Sequence, residues 1–519
     1  MASVGARINL HNHLGTIKYA GPVNNTTGIW LGVEWDDPER GKHDGSKDGK
    51  QYFTCQLKNA GSFIRPTSHL VYGVSFLTAL VSKYVEELHG SDTQEKVVLG
   101  SSQGAIEVEA VSLDKIRQRF SRLDQLREVS LEYMNVSKGD EPGRILESCP
   151  NVRGLDLSSN LLPSWEIIAE ITRELPLLRR LSLNRNRLQL PSNIQSMEGA
   201  FQSLTDLQLN ATFLSWTEIQ TITSTMPKLQ LIEMGYNQLS CLSGVIRSYD
   251  CNVQVINLDT NNCSDWVHLC TSFSEYRSLQ RIVLTSNRIG TIPFPNRPED
   301  SVLSIKYLSL SNNLLSAWSD IDALSCWIPT LETLTMGGNP LTIDTELGKH
   351  SRPFIIARIP SLLTLDGAAI SPKERTDSEL FYMSTIMQQG PTSDDAKRKS
   401  HYHWLDLCNK HGTPREVVNQ HKSHDKLGNR LIELMLYQAN DQAQGTVETS
   451  LRVLPTMSLR NLRLKICKTL RYDARNTSID CWLRMPNGSL TTLGHENDTR
   501  DLDWLGIETG SQIIYQKVQ

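Results

Sequence analysis

Several features are missing from this 519-residue chain. Its ten cysteines stand singly, at 55, 149, 241, 251, 263, 270, 326, 408, 467 and 481. With no CxxC pair, neither a zinc ribbon nor a thioredoxin-like centre is supported, and the thiols read as small buried hydrophobes in a reducing compartment. No charge of one sign dominates. Lys and Arg number 53, Asp and Glu 57, and the net charge of −4 excludes a strongly basic nucleic-acid binder on bulk charge. The longest apolar run, Val71 to Val81, is about half of the ~20 residues that a spanning helix needs. Arg7, Asn9, His11 and His13 interrupt any apolar segment after Met1, so the expected address is the cytoplasm. There is no G-x-x-x-x-G-K-[ST] loop, no G-x-S-x-G elbow and no H-E-x-x-H. No catalytic residue is assigned, and the chain is not expected to be an enzyme or to need a cofactor. A His-rich stretch (His401, His403, Cys408, His411, His421, His424) matches the ligand spacing of no common zinc finger, so no metal is assigned to it.

What is present, first, is a repeat. The pattern L-x-x-L-x-L-x-x-N starts at Leu126, Val152, Leu178, Leu204, Leu229, Val253, Leu279, Ile305 and Leu331, at spacings of 24 to 26 residues. Its ninth position is Asn160, Asn186, Asn237, Asn261, Asn287, Asn313 or Asn339, with Met134 and Thr212 as the exceptions. The apolar positions point into one continuous core. The Asn amide satisfies buried backbone groups where each strand turns away. This is a leucine-rich-repeat solenoid, in which the stack rather than the unit folds. Trp165, Trp216, Trp266 and Trp318 mark every second repeat, with Ser164, Ser215, Ser264 and Ser316 just ahead of them as expected N-caps. Even repeats are therefore expected to carry a convex-side helix, with the tryptophans in the core. Arg358 to Gly367 resembles the closing unit of such solenoids.

The first seventy residues are Gly-rich, with short strands and turns. They hold Gly28-Ile29-Trp30-Leu31-Gly32-Val33-Glu34-Trp35-Asp36, Gly41-Lys42-His43-Asp44-Gly45-Ser46, Tyr52-Phe53-Thr54-Cys55 and Gly61-Ser62-Phe63-Ile64-Arg65-Pro66. A core of this size cannot hide so many aromatics. Trp30, Trp35, Phe53 and Phe63 beside a Gly-rich loop predict a shallow apolar groove with donors at one end, suited to an extended peptide with an aromatic side chain and a free carboxylate. These elements together resemble a CAP-Gly domain, whose family loop reads Gly-Lys-Asn-Asp-Gly. Here His43 stands in place of the Asn. The resemblance implies binding of acidic tails ending in Glu-Glu-Tyr or Glu-Glu-Phe, as on α-tubulin. It implies that Lys42 and His43 meet the tail carboxylates while Trp30, Trp35 and Phe53 hold the terminal aromatic. Gly41, Asp44, Gly45, Ser46 and Phe63 complete the expected site.

The C-terminal stretch reads as strands near 431–436 and 449–454, a helix capped by Ser458 with Leu459, Leu462, Ile466 and Leu470 on one face, and strands at 479–485, 490–493 and 513–515. Asn487-Gly488 signals a tight turn. This order resembles a ubiquitin-like β-grasp fold. The chain ends without Gly-Gly, so docking rather than conjugation is the expectation.

The expected plan is thus multidomain: a small all-β CAP-Gly module over 1–72, a helical linker over 73–109, an α/β leucine-rich-repeat solenoid with its cap over 110–366, a helical and polar linker over 367–428, and an α+β ubiquitin-like module over 429–519. That order resembles a family of tubulin-folding chaperones. The resemblance implies α-tubulin as client, tubulin cofactors D and C as partners in assembly and disassembly of the αβ-heterodimer, and proteasome or ubiquitin receptors for the last module. It implies no nucleic acid and no membrane as partner. Arg153, Arg179, Arg180, Arg281, Lys306 and Tyr307, with Asp156, Asp206 and Glu233, are the expected concave-face contacts. The alternative reading is a microtubule-associated CAP-Gly adaptor.

Overall fold

The structure, a computed structural model, describes residues 3–86, 98–99, 106–107, 122–242, 252–297, 305–343, 350–389, 391, 393–413, 431–439, 447–472, 478–485 and 488–518. The chain divides into two compact units, Met1–Pro414 and Arg415–Gln519.

In the first unit, strands Arg7–Leu10, His13–Pro22, Ile29–Trp35 and Gly61–Ile64 form an antiparallel sheet in that order. Alternation along the strands sends Ile8, Leu10, Leu31, Val33 and Trp35 to one core, joined by Ile17 and Leu70.

The repeats follow as an eleven-stranded sheet that starts at Glu128–Ser130 and ends at Ala368–Ala369. Leu155, Leu181, Leu207, Ile232, Ile256, Ile282, Leu308 and Leu334 stand in register on parallel neighbours. The sequence spacing therefore sets the register directly. The asparagine ladder runs beneath. Asn237 donates to Leu209 O and Gly235 O, and its side-chain oxygen accepts the N–H groups of Thr212 and Phe213. Thr212 keeps only part of this role, its hydroxyl donating to Leu209 O at 2.9 Å. Helices begin at Trp165, Trp216, Trp266 and Trp318. Ser215 builds a capping box with Glu218, and Ser164 holds the N-cap position without a side-chain bond. Ser264 and Ser316 are not the caps. Asp265 takes the place of the first because its carboxylate reaches His268 N–H at 3.0 Å. Ala317 takes the place of the second, and Asp320 accepts its N–H.

Both expected linkers contribute to the solenoid, because an open end would leave its core in water. Val74 pairs with Val136, Ser75 caps the helix Phe76–Val81, and Phe76, Ala79 and Leu80 lie in the repeat core. At the other end the helices Pro372–Gln389 and Trp404–His411 place Tyr382, Met383, Ile386, Trp404 and Leu407 over Ala357. Under them Arg358 is buried. It pairs with Asp322 and lies 5.3 Å from the Trp318 ring and 4.7 Å from Tyr382. Residues 414–428 lie outside the described residues.

In the second unit a five-stranded sheet has the spatial order Val447–Val453, Ile432–Gln438, Gln512–Val518, Ser478–Arg484, Leu490–Leu493. The central pair, Ile432–Gln438 with Gln512–Val518, is parallel and the others are antiparallel. Helix Leu459–Thr469, capped by Ser458, lays Leu462 and Ile466 on Leu434, Leu436, Ile513 and Tyr515. Asn487 of the expected turn lies outside the described residues. No helix among the described residues is long and apolar enough to cross a membrane.

Candidate functional site

The loop 41–46 turns where only glycine fits. A Cβ on Gly41 would lie 2.0 Å from Asn59 O. Gly45 has φ +100°, and its Cβ would lie 2.0 Å from Phe53 O. The loop is pinned to strand Gly61–Ile64: Lys42 N–H donates to Gly61 O at 2.8 Å, and Gly61 N–H donates back to His43 O at 2.8 Å. Asp44 faces its own loop. Its carboxylate accepts the Ser46 hydroxyl at 2.6 Å and the Ser46 N–H at 3.1 Å, and these bonds hold its carboxyl below the usual range. It is a turn former here.

His43 is half-buried, and burial lowers its pKa. Its Nδ1 accepts the Gly45 N–H at 3.0 Å. The neutral ring therefore carries its proton on Nε2, where it can donate to an anionic group. The ring lies 5.0 Å from Phe63 and 6.1 Å from Phe53. Tyr52 and Tyr19 extend the cluster, at 5.4 and 6.4 Å from Phe63 and 5.3 Å from each other. Gly32 makes this possible, because a Cβ there would meet the Phe53 ring at 2.4 Å. Lysines stand around the aromatics, with Lys42 and Lys50 exposed and Lys50 5.1 Å from the Tyr52 ring.

One expected residue lies elsewhere. Trp35 is 1% exposed in the module core. It points the same way as Leu31 and Val33, and Arg40 covers it at 4.9 Å. It cannot touch a ligand. Trp30 is half-buried outside that core, on the strand face that Gly32 turns toward Phe53, and lies beneath Arg65 at 3.9 Å. Tyr19 and Tyr52 were the residues missed. The sequence signal for Tyr52 was its place beside Phe53. Tyr19 shares the phase of the core residue Ile17, and only a register shift between the two turns it to the other face, so it had no local sequence signal.

On the solenoid, Asp156, Arg180, Asp206, Glu233, Arg281 and Tyr307 lie on the strands, in the outward register between buried positions. Arg153, Arg179 and Lys306 do not. Each sits one residue ahead of its strand, because adjacent residues of an extended chain cannot share a face. The concave face instead gathers Glu128, Ser130, Asp156, Arg180, Asp206 and Glu233, with Tyr84 at its edge. Among the described histidines of the His-rich stretch, His401 bonds Tyr382, His403 bonds Ser325 and His411 bonds Glu379. His421 and His424 lie outside the described residues.

The β-module is fastened to the repeats. Gln56 donates to Phe213 O at 3.1 Å and Asn9 to the Asn135 side chain at 2.8 Å. Arg187, half-buried and with its pKa lowered by desolvation, lies 3.9 Å from Asp36 and covers Phe213 at 4.2 Å.

The chain is thus a multidomain protein in which an aromatic, lysine-rimmed β-module is mounted on a leucine-rich-repeat scaffold. Residues 4–69 match the CAP-Gly domain family. Tubulin-specific chaperone E of Bos taurus is 31% identical over 529 residues, covering 98% of each chain. Tubulin-folding cofactor E of Arabidopsis thaliana is 28% identical over 447 residues, covering 83% of each. A solved Bik1 CAP-Gly domain with an ETF peptide from Bim1 is 38% identical over 12% of this chain and 75% of that chain, with a TM-score of 0.12. The chain belongs to the tubulin-specific chaperone E family.

Proposed function

We propose that this protein is a tubulin-folding chaperone that holds α-tubulin at two places. The acidic C-terminal tail lies on the His43, Tyr19, Tyr52, Phe53 and Phe63 cluster, and the folded body meets the repeat surface. The observation that carries the reading is the juxtaposition of a neutral His43 with a free Nε2–H, four aromatic rings and the exposed Lys42 and Lys50. The half-buried Tyr19, Tyr52 and Phe63 rings offer apolar area to a terminal aromatic, the buried Phe53 supports them from below, and the donors and cations complement carboxylates. Gly41, Asp44, Gly45 and Ser46 shape the loop. Two weak contacts on one scaffold raise avidity through effective concentration.

On this reading the protein is cytoplasmic and acts with tubulin cofactors D and C on the αβ-heterodimer. The C-terminal unit is a ubiquitin-like module, supported by its 2-1-5-3-4 strand order and single packed helix, and it docks a proteasome or ubiquitin receptor. The domain plan in this reading keeps the CAP-Gly module over 1–72. It assigns the described residues 73–86 and 367–389, 391 and 393–413 to the two ends of the solenoid.

The test is capture of α-tubulin with and without its terminal tyrosine by the full chain. A tenfold or larger loss of affinity without the tyrosine is expected. Unchanged affinity removes the tail from the mechanism, and pelleting with microtubules while ignoring free dimer favours the adaptor reading instead.

A further inference from the structure

The residue directly before each repeat strand forms a row along one edge of the sheet. In order it reads Arg127, Arg153, Arg179, Thr205, Gln230, Gln254, Gln280, Lys306 and Glu332. The backbone ties the row together. Arg153 N–H donates to Arg127 O, Arg179 N–H to Arg153 O, Thr205 N–H to Arg179 O, and the same link recurs through Glu332 N–H to Lys306 O, each at 2.7 to 2.9 Å. Consecutive side chains are therefore about 4.8 Å apart, one strand spacing. The first eight carry hydrogen-bond donors and no negative charge. The single acid, Glu332, is held by Lys306 at 2.9 Å.

Three exposed arginines head the row. Among the described residues none of the three is ion-paired, whereas Arg180, one residue further on and facing the concave side, is paired to Glu128 at 2.5 Å. At the far end the same edge opens into a surface cavity of about 590 Å³, whose lining includes Arg277, Gln280 and Lys306 together with the acid Glu332 and the apolar Pro329 and Leu363. The row and the CAP-Gly attachment occupy opposite edges of the sheet. The attachment uses Asn135, Asn160 and Phe213, which lie past the ends of their strands.

We propose that this edge is a docking track for an extended, acidic polypeptide segment, led by Arg127, Arg153 and Arg179. Guanidinium groups make bidentate, charge-assisted bonds to carboxylates. Glutamate side chains on one side of an extended peptide recur about every 6.6 Å, within reach of long arginine side chains spaced at 4.8 Å. The glutamines beyond them supply neutral donors to the peptide's main chain. The track goes beyond the tail-binding reading and does not depend on it, since it uses a different edge and needs no terminal aromatic.

The test uses the full chain and a fluorescent deca-glutamate peptide with an amidated C-terminus, read by anisotropy at 50 and 200 mM salt. Binding at low salt is expected, weakening as salt rises. The triple variant Arg127→Glu, Arg153→Glu, Arg179→Glu is expected to lose at least tenfold in affinity, and the triple Gln variant to lose several-fold. Both should keep the wild-type melting temperature, because the side chains are exposed. The loss caused by the arginine reversals should be of the same size in a Lys42→Ala, His43→Ala background, because the track does not use the tail site. The proposal is overturned if the wild type ignores the peptide, if the charge-reversed variant binds it equally well, or if an RNA of equal charge binds the row as tightly. The last outcome would make the edge a general anion surface.

Discussion

The Arg7 guanidinium meets the Asp36 carboxylate at 2.5 Å and reaches across to the main-chain oxygen of Asn160 at 3.3 Å. One side chain from the first strand of the β-module thus closes an ion pair within its own module and a hydrogen bond to the second repeat. Arg187 approaches the same carboxylate from the third repeat. Removing Asp36 would leave the buried Arg7 guanidinium, and the half-buried Arg187 beside it, without that anion. Asp36→Ala should cost about 3 kcal/mol, read as a lower denaturant midpoint, whereas alanine at the exposed Asp37 should change little. Equal midpoints for the two variants would mean that the pair is not what fastens the modules.

The asparagine ladder makes a second prediction. Asn237 satisfies five partners across two repeats. In Asn237→Ala several buried backbone groups lose their partners, at a cost of about 2 to 4 kcal/mol. Asn237→Asp keeps the acceptor but loses the donor, and should fall between wild type and Ala. Urea unfolding of the three chains checks the order.

Much of this architecture was legible because each repeat encodes its geometry locally. A leucine two residues from another and an asparagine three further on specify a strand and its turn without reference to distant chain. The site was less legible where alternation was not followed to its end. Trp30 and Trp35 are five residues apart on one strand, so they must face opposite ways, and only Trp35 shares the register of Leu31 and Val33. Arg179 and Arg180 are neighbours and could not both face the concave side. The Arg7, Asp36 and Arg187 cluster had no local signal at all, because it joins stretches distant in the chain. The same holds for the buried Arg358 with Asp322, which Tyr382 from the stretch expected as a linker covers.

The cap carries a pH dependence. Burial and the nearby Arg358 charge push the His401 pKa from 6.5 down to about 4, and its Nδ1 lies 2.8 Å from the Tyr382 hydroxyl. A folded-state pKa below the unfolded one means that the unfolded chain binds the proton more readily. The contribution of His401 is complete above pH 6.5 and is lost as pH falls from there through about 4. His401→Gln should flatten that part of the stability profile. Thermal melts between pH 7 and 4 report it, and identical profiles would remove His401 as the cause.

His43 gives the last prediction, and here stability and binding can be separated. Burial lowers its pKa, so the loop is intact at neutral pH and weakens as pH falls below 6.5. Protonation of Nδ1 takes away the acceptor that the Gly45 N–H uses at 3.0 Å. The same proton would add a positive charge beside Lys42, which favours an acidic tail. The two effects oppose each other. Which one dominates shows in the sign of the change in tail affinity between pH 7.5 and 5.5. Because the Gly45 that His43 holds also accepts the Tyr52 and Phe53 N–H groups at its carbonyl, the loss of loop geometry should win, and affinity for a Glu-Glu-Tyr peptide should fall with pH. His43→Asn supplies a non-titrating acceptor on a shorter side chain and should bind with a flat profile over this range. Tyr52→Ala and Phe63→Ala, which remove ring area but no titrating group, should each weaken the peptide by roughly tenfold, about 1.4 kcal/mol, at both pH values. A wild-type affinity that rises toward pH 5.5 would assign His43 the role of a cation rather than of a loop-setting acceptor.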